Sequence, residues 1–236
     1  MVEFNYYDPS DIFVNDSRPE GMAGAANFDL AESFARSRGA LDRWDRNAGA
    51  VALYRKDGVT KYVISENSKD KKYNAVSYGN KHFKNYTASR DGFEATSYGH
   101  TERKLMRDVL DDLLADQSTL PGPTSVFESL SGKEKEYEVL KYLTHNADKY
   151  KRYLEEKGII VKIWSERPSC TAEANEGFIG GSNCTKFIQD ICPEGSQYGF
   201  IVKDYVKSDN LVEGVPKVRM AYEALKNAYE KYKKTL

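Results

Sequence analysis

Between Glu102 and Asp116 the apolar residues recur at three- and four-residue steps. Leu105, Met106, Val109, Leu110, Leu113 and Leu114 make one stripe with charges opposite, which predicts an amphipathic helix. The stretch "SGKEKEYEVLKYLTHNADKYKRYLEEKG", residues 131–158, continues this period through Tyr137, Leu140, Leu143, Ala147, Tyr150 and Leu154. Ser131 and Glu134 have the spacing of a capping box, so one long helix is expected after the Pro/Gly break at "LPGP". "FDLAESFARSR", residues 28–38, places Phe28, Leu30, Ala31, Phe34 and Ala35 on one face and predicts an earlier helix.

Strand patterns alternate with these helices. "GAVALYRKDGVTKYVISE" gives two β-type runs around Asp57-Gly58, a dipeptide suited to a tight hairpin turn. "GIIVKIW" reads as a buried strand, "SNCTKFIQDIC" as a short helix and "YGFIVKDYV" as a further strand. "VPKVRMAYEALKNAYEKYKKTL" reads as a terminal helix with Pro216 near its first turn. Residues 1–26, rich in Gly, Pro, Asp and Asn and without a period, read as an irregular lead-in.

That order implies an α/β fold: a mixed sheet of four to five strands, opened by an N-terminal hairpin and covered by helices in three α/β/α layers. A chain of 236 residues suits one core. The expected division is a lead-in with its first helix over residues 1–46 and one main domain over residues 47–236. A helical insertion is expected at about residues 118–157 of that domain.

Composition narrows the function classes. Hydrophobic residues at 40% and charged residues at 30% are ordinary for a globular chain, and 17 tyrosines suit half-wet surfaces. No apolar run reaches the length of a membrane span, and "MVEFNYYDPSDIF" lacks the basic and apolar regions of a signal peptide, so the expectation is a soluble chain with no membrane partner. A net charge of −1 lacks the basic footprint of a dedicated nucleic-acid binder. The charge is uneven, however. Residues 61–90 carry Lys71, Lys72, Lys81, Lys84 and Arg90 among Tyr62, Tyr73, Tyr78, Phe83 and Tyr86, with Glu66 and Asp70 as the acids. Basic groups beside stacking rings are what a single strand asks for, and Lys81, Lys84 and Tyr86 are its candidate contacts; a solvated loop after the hairpin is the other reading.

Candidate chemistry begins at "SYGHTERKLM", where His100 stands two residues from Glu102 at the start of the predicted helix. In mid-helix such a pair would point about 200° apart, but in a first turn both side chains can reach one point in front of the helix. The partner motif lies where "GIIVKIW" ends: "SERPSC" closes on Cys170, and "GGSNCTKF" carries Cys184 in the first turn of the next helix. The positive end of that helix favours thiolate over thiol. The glycines of "EGFIGGSN" permit the chain to return between the two cysteines.

One imidazole and two thiolates make three ligands of a tetrahedral zinc site left open at its fourth position. Glu102, not itself a ligand, can then accept and pass on a proton. Three cysteines, crowded between positions 170 and 192, do not look like a disulfide framework. Cys192 lies about 12 Å of helical rise from Cys184 and reads as a core residue. His82 and His145 read as solvated side chains, and Trp164 as the end of a buried strand.

In these residues the chain resembles the cytidine-deaminase-like superfamily, and within it the bacterial toxin deaminases. The matches are His100, Glu102, the run Ser165, Glu166, Arg167, then Cys170 and Cys184, and in element order the resemblance spans residues 48–206. It implies a zinc-dependent hydrolytic deaminase with His100, Cys170 and Cys184 on the metal and Glu102 as proton carrier. Ser165, Glu166 and Arg167 would meet the base edge or its phosphates. The implied substrate is cytosine in nucleic acid, DNA ahead of RNA. The implied setting is a bacterial polymorphic toxin that acts in the cytoplasm of a target cell and is neutralised at home by an immunity protein. Two alternatives stand beside it: a deaminase of free nucleosides or nucleotides, and a non-catalytic binding protein with a structural Cys/Cys/His zinc site.

Overall fold

A computed structural model describes residues 1–10, 48–55, 64–67, 73–75, 83–87, 101–171, 183–203 and 211–234. Its strands are β1 (Glu3–Tyr6), β2 (Ala48–Arg55), β3 (Ile64–Asn67), β4 (Tyr73–Ala75), β5 (Phe83–Thr87), β6 (Ile159–Ser165) and β7 (Gln197–Phe200). The helices are α1 (Thr101–Leu113), α2 (Gly132–His145), α3 (Ala147–Glu156), α4 (Cys184–Ile191) and α5 (Leu211–Lys233), with a 3-10 turn at Pro123–Phe127 before α2.

The strands form one seven-stranded mixed sheet in the order β1-β7-β6-β2-β5-β3-β4. Interior strand β6 runs parallel to β7 and antiparallel to β2. Its apolar reading, interrupted only by Lys162, follows from burial on both faces. One face carries Val51, Leu53, Val161, Ile163 and Tyr198, in register with one another, and α1 packs on that side across β2 and β5. The other face buries Ala52, Tyr54, Lys162 and Trp164. Helix α5 adds Val218, Leu225 and Ala228 to the same core. Among the described residues, no helix is long and apolar enough to cross a membrane.

The α/β class with a mixed, helix-covered sheet is as expected, whereas the strand count and pairing differ. The β2 run does not close a hairpin on the β3 run: its antiparallel partners are β5 and β6, and β3 runs parallel to β5. Asp57-Gly58 lies outside the described residues, as does the helix expected at 28–38. The polar stretch 61–90, weighed as a solvated loop, contributes β3, β4 and β5 to the sheet.

The expected lead-in supplies β1, which adds to the sheet beside β7 in parallel register, Phe4 against Tyr198 and Tyr6 against Phe200. A four-residue strand whose partner lies near the other end of the chain has no local signal. Just after β1, the Tyr7 ring stacks on Trp164 at 5.1 Å and covers Gly199. A Cβ at Gly199 would stand 2.7 Å from Tyr7 Cε2, closer than packed atoms allow, so the terminal segment lies flat only because residue 199 has no side chain.

Three local expectations are also corrected. The long helix over 131–158 is two, broken at Asn146, whose backbone N–H and side-chain Nδ2 both donate to the Tyr142 carbonyl at 3.0 and 2.9 Å. An Asn that bonds its own backbone competes with helix propagation. Ser131 stands at the N-cap of α2 but makes no side-chain capping bond. Pro216 lies inside α5, because that helix begins upstream at Leu211.

Lys162, 2% exposed, sits on the sheet face opposite α1. Burial lowers its ammonium to about 8 from the ordinary 10.5, with the Glu3 carboxylate pulling the other way. A depressed folded-state pKa means that the unfolded chain binds this proton more tightly. The stabilisation is complete above the ordinary value and is lost as pH falls through about 8. Unfolding free energy measured in urea is therefore expected to rise by roughly 1–2 kcal/mol between about pH 7 and pH 9.5 through this group. Lys162→Met should remove that rise, and an unchanged pH dependence in the variant would refute it.

Candidate active site

Strand β6 delivers the run Ser165-Glu166-Arg167 at its carboxyl end, and all three side chains are buried. The Glu166 carbonyl accepts a 2.8 Å hydrogen bond from Val202 N–H, which pins the turn to the chain leaving β7. Two residues beyond Arg167 the chain meets the start of α4. There Cys184 N–H donates to Cys170 Sγ at 3.3 Å, and Thr185 N–H donates to the Cys170 carbonyl at 3.1 Å. Ser169 Oγ and Thr185 Oγ1 lie 2.7 Å apart, and the Asn183 side chain caps Lys186 N–H at 2.8 Å. The first N–H groups of a helix have no partner within it. In α4 they are spent on Cys170 and Asn183, which fixes the two cysteines beside one another.

Helix α1 approaches from the other side. Its Thr101 and Leu105 press on the sheet at Gly49, where an added Cβ would meet Thr101 Cγ2, Leu105 Cδ1 and the Trp164 carbonyl, each at 3.0 Å. That close seat carries the first turn into the core. Glu102 is 4% exposed, and its Oε1 accepts a 3.1 Å hydrogen bond from the Tyr198 hydroxyl. Arg103, 1% exposed, donates from Nε to Thr144 Oγ1 at 3.0 Å and from Nη1 to Cys184 Sγ at 3.1 Å, with its guanidinium 4.9 Å from the Phe187 ring centre. The α1–α4 contact thus joins a guanidinium to two adjacent sulfurs, with the buried Glu102 carboxylate one residue away on α1 and held by β7.

Of the residues singled out in the sequence, Glu102, Ser165, Arg167, Cys170 and Cys184 gather at this point. Glu166 belongs to the same turn and is closed off from solvent. His100, the residue immediately before α1, lies outside the described residues, as do Lys81 and His82. Lys84 and Tyr86 stand on β5, in register opposite Val51 and Gly49, so Tyr86 is one strand away from the seat of α1. Cys192 caps the far end of α4 inside the core, where burial pushes its thiol up to about 12 and leaves it inert. His145 is an exposed side chain in the last turn of α2.

Among the described residues no three His, Cys, Asp or Glu side chains group closely enough to hold a metal ion. The donor chemistry of the pair nevertheless fits a soft cation. Both sulfurs accept an N–H hydrogen bond, Cys170 from a helix end and Cys184 from Arg103, and sulfur of this kind is a ligand type that zinc takes.

Two site residues escaped sequence reasoning. Arg103 was adjacent to a chosen residue but carried no signal of its own, since a charged residue in an amphipathic helix is expected to face water. Tyr198 sits in an apolar strand of a tyrosine-rich chain, and nothing local marks its hydroxyl. Compared with protein-family models, curated proteins and solved structures, the chain matches none of them.

The guanidinium fork of Arg103 holds α1, α2 and α4 together, and an ammonium cannot reproduce its geometry. Arg103→Lys is expected to lower the unfolding free energy by about 1–3 kcal/mol through unsatisfied Thr144 and Cys184 partners. Urea denaturation measures it, and stability equal to the unaltered chain would show that these contacts contribute nothing.

Proposed function

We propose that the chain is a zinc-dependent hydrolytic deaminase of cytosine in nucleic acid, DNA ahead of RNA. In this reading it serves as an effector domain of a bacterial toxin, with an immunity protein as its partner in the producing cell. The observation that supports the chemistry is the adjacency of two thiol sulfurs, Cys170 and Cys184, at the start of α4, joined to α1 through Arg103, the residue next to the buried Glu102 carboxylate. The resemblance to the cytidine-deaminase-like superfamily rests on these same residues.

The metal would be held by His100, Cys170 and Cys184. When bound there, zinc lowers the pKa of a water toward neutrality and so supplies a nucleophile. Glu102 would take a proton from the attacking water and deliver it to the ring nitrogen of the base. Its carboxylate then helps the exocyclic amine leave as ammonia, so that cytosine and water become uracil and ammonia. The buried Ser165–Arg167 turn would meet the base edge or its phosphates in this reading.

The polynucleotide part of the proposal draws on residues 61–90. A base inside a duplex is out of reach, so a single strand or a flipped base is required, and both need phosphate contacts beyond the pocket. Strand β5 carries Lys84 and Tyr86 under α1, on the side of the sheet order away from β6.

Incubation with a panel of cytosine- and adenine-containing nucleosides, nucleotides and oligonucleotides, scored by mass, tests the activity. Conversion of cytosine in oligonucleotides is expected. Purified protein should carry about one zinc per chain, lost in Cys170→Ser and Cys184→Ser and kept in Cys192→Ser. Glu102→Ala should keep fold and zinc while abolishing turnover, and activity within a few-fold of the unaltered chain would move the proton carrier elsewhere. Full zinc with no turnover on any substrate would favour the structural zinc site.

Charge reversal tests the polynucleotide reading separately. Lys81→Glu with Lys84→Glu should weaken oligonucleotide turnover and flatten the salt dependence of binding by roughly one unit of slope per lost phosphate contact. Free cytidine turnover should not change. A better rate on free nucleotide, insensitive to the reversal, would make the enzyme a nucleotide-pool deaminase.

A further inference from the structure

The Tyr198 ring is fully buried on the α1 face of the sheet, between Phe4 at 5.5 Å and Phe200 at 6.4 Å. Its position in the sheet is fixed by register, with Ile163 on one side and Phe4 on the other. The hydroxyl lies 3.1 Å from Glu102 Oε1 and 3.1 Å from the Arg167 carbonyl, and the Ser165 side chain also hydrogen-bonds it. Among the described residues it is the hydrogen-bond partner of the Glu102 carboxylate. We propose that Tyr198 is a positioning residue of the deamination site, which aims the Glu102 carboxylate and ties it to the Ser165–Arg167 turn; this rests on the deaminase reading above.

Three physical points support it. A phenol has one proton, which the Glu102 carboxylate and the Arg167 carbonyl share, while its oxygen can accept from the Ser165 hydroxyl, so the three meet at one point. Its location is set by a ring with two torsions packed in the sheet, a stiffer mount than a long aliphatic side chain. Burial, then the Glu102 charge, pushes the Tyr198 hydroxyl well above its ordinary value, so it stays a neutral donor that orients Glu102 without adding a charge. With Oε1 engaged by Tyr198, Oε2 is the carboxylate oxygen left to face a reacting base.

Tyr198→Phe keeps the ring and removes the oxygen. Its kcat on the best substrate is expected to fall about 10- to 100-fold, as loss of orientation at a proton carrier does, with KM within about twofold. Zinc content should stay close to that of the unaltered protein, while the melting temperature should fall by several degrees because the buried Glu102 carboxylate loses its partner. 4-Aminophenylalanine at position 198, which restores an N–H donor on the same ring, should recover most of the kcat, and it replaces Tyr198→Phe as the test should that variant fold poorly. A kcat within twofold of the unaltered chain in Tyr198→Phe, beside an inactive Glu102→Gln, would overturn the positioning role alone. No recovery with the amine donor would also overturn it. Absence of turnover by the unaltered chain would instead overturn the deaminase reading on which it stands.

Discussion

How closely α1 can approach the sheet governs most of what this structure does. At Gly49 the helix, strand β2 and the Trp164 carbonyl meet at distances that leave no room for a side chain. A methyl group there would have to lift the helix by some tenths of an ångström. Glu102 and Arg103 sit one and two residues from the point of contact, so any lift moves both. The 3.1 Å bonds to Tyr198 and Cys184 would lengthen together. A missing Cβ on a strand thereby sets the position of a carboxylate on a helix.

Burying that carboxylate, a guanidinium and two sulfurs is costly unless each finds a partner. The partners come from every direction: Tyr198 from β7 for Glu102, Thr144 from α2 and Cys184 from α4 for Arg103, and a helix N–H for Cys170. Removing one leaves another exposed to a low-dielectric interior, so the elements around the site hold one another in place. The cluster lies beyond the carboxyl end of β6, next to parallel β7, and Ser165 pairs with Phe200 where both strands end. In sheets of this kind the carboxyl ends of parallel strands open a crevice, and it is there that ligands commonly bind.

Glu102, Cys170 and Cys184 were chosen for what a zinc deaminase needs; in the structure the two cysteines adjoin at the start of α4, Arg103 links Cys184 to α1, and Glu102 is held by Tyr198. Arg103 and Tyr198 had no such signal, because the value of each lies in a partner 81 and 96 residues away.

The sequence by itself determined the helical stripe of α1, the buried strand β6, the short helix that begins at Cys184 and the order of its candidate motifs. Each is written in a local period or a local cap, and such patterns need no distant partner to be read. Only the tertiary structure decided that the first residues form β1, that β2 pairs with β5 rather than with the strand that follows it, and that Asn146 divides α2 from α3. It also decided that Tyr198 meets Glu102. Those outcomes depend on register and close approach between segments remote in the chain, where the free energy comes from burial and satisfied hydrogen bonds that no single stretch contains.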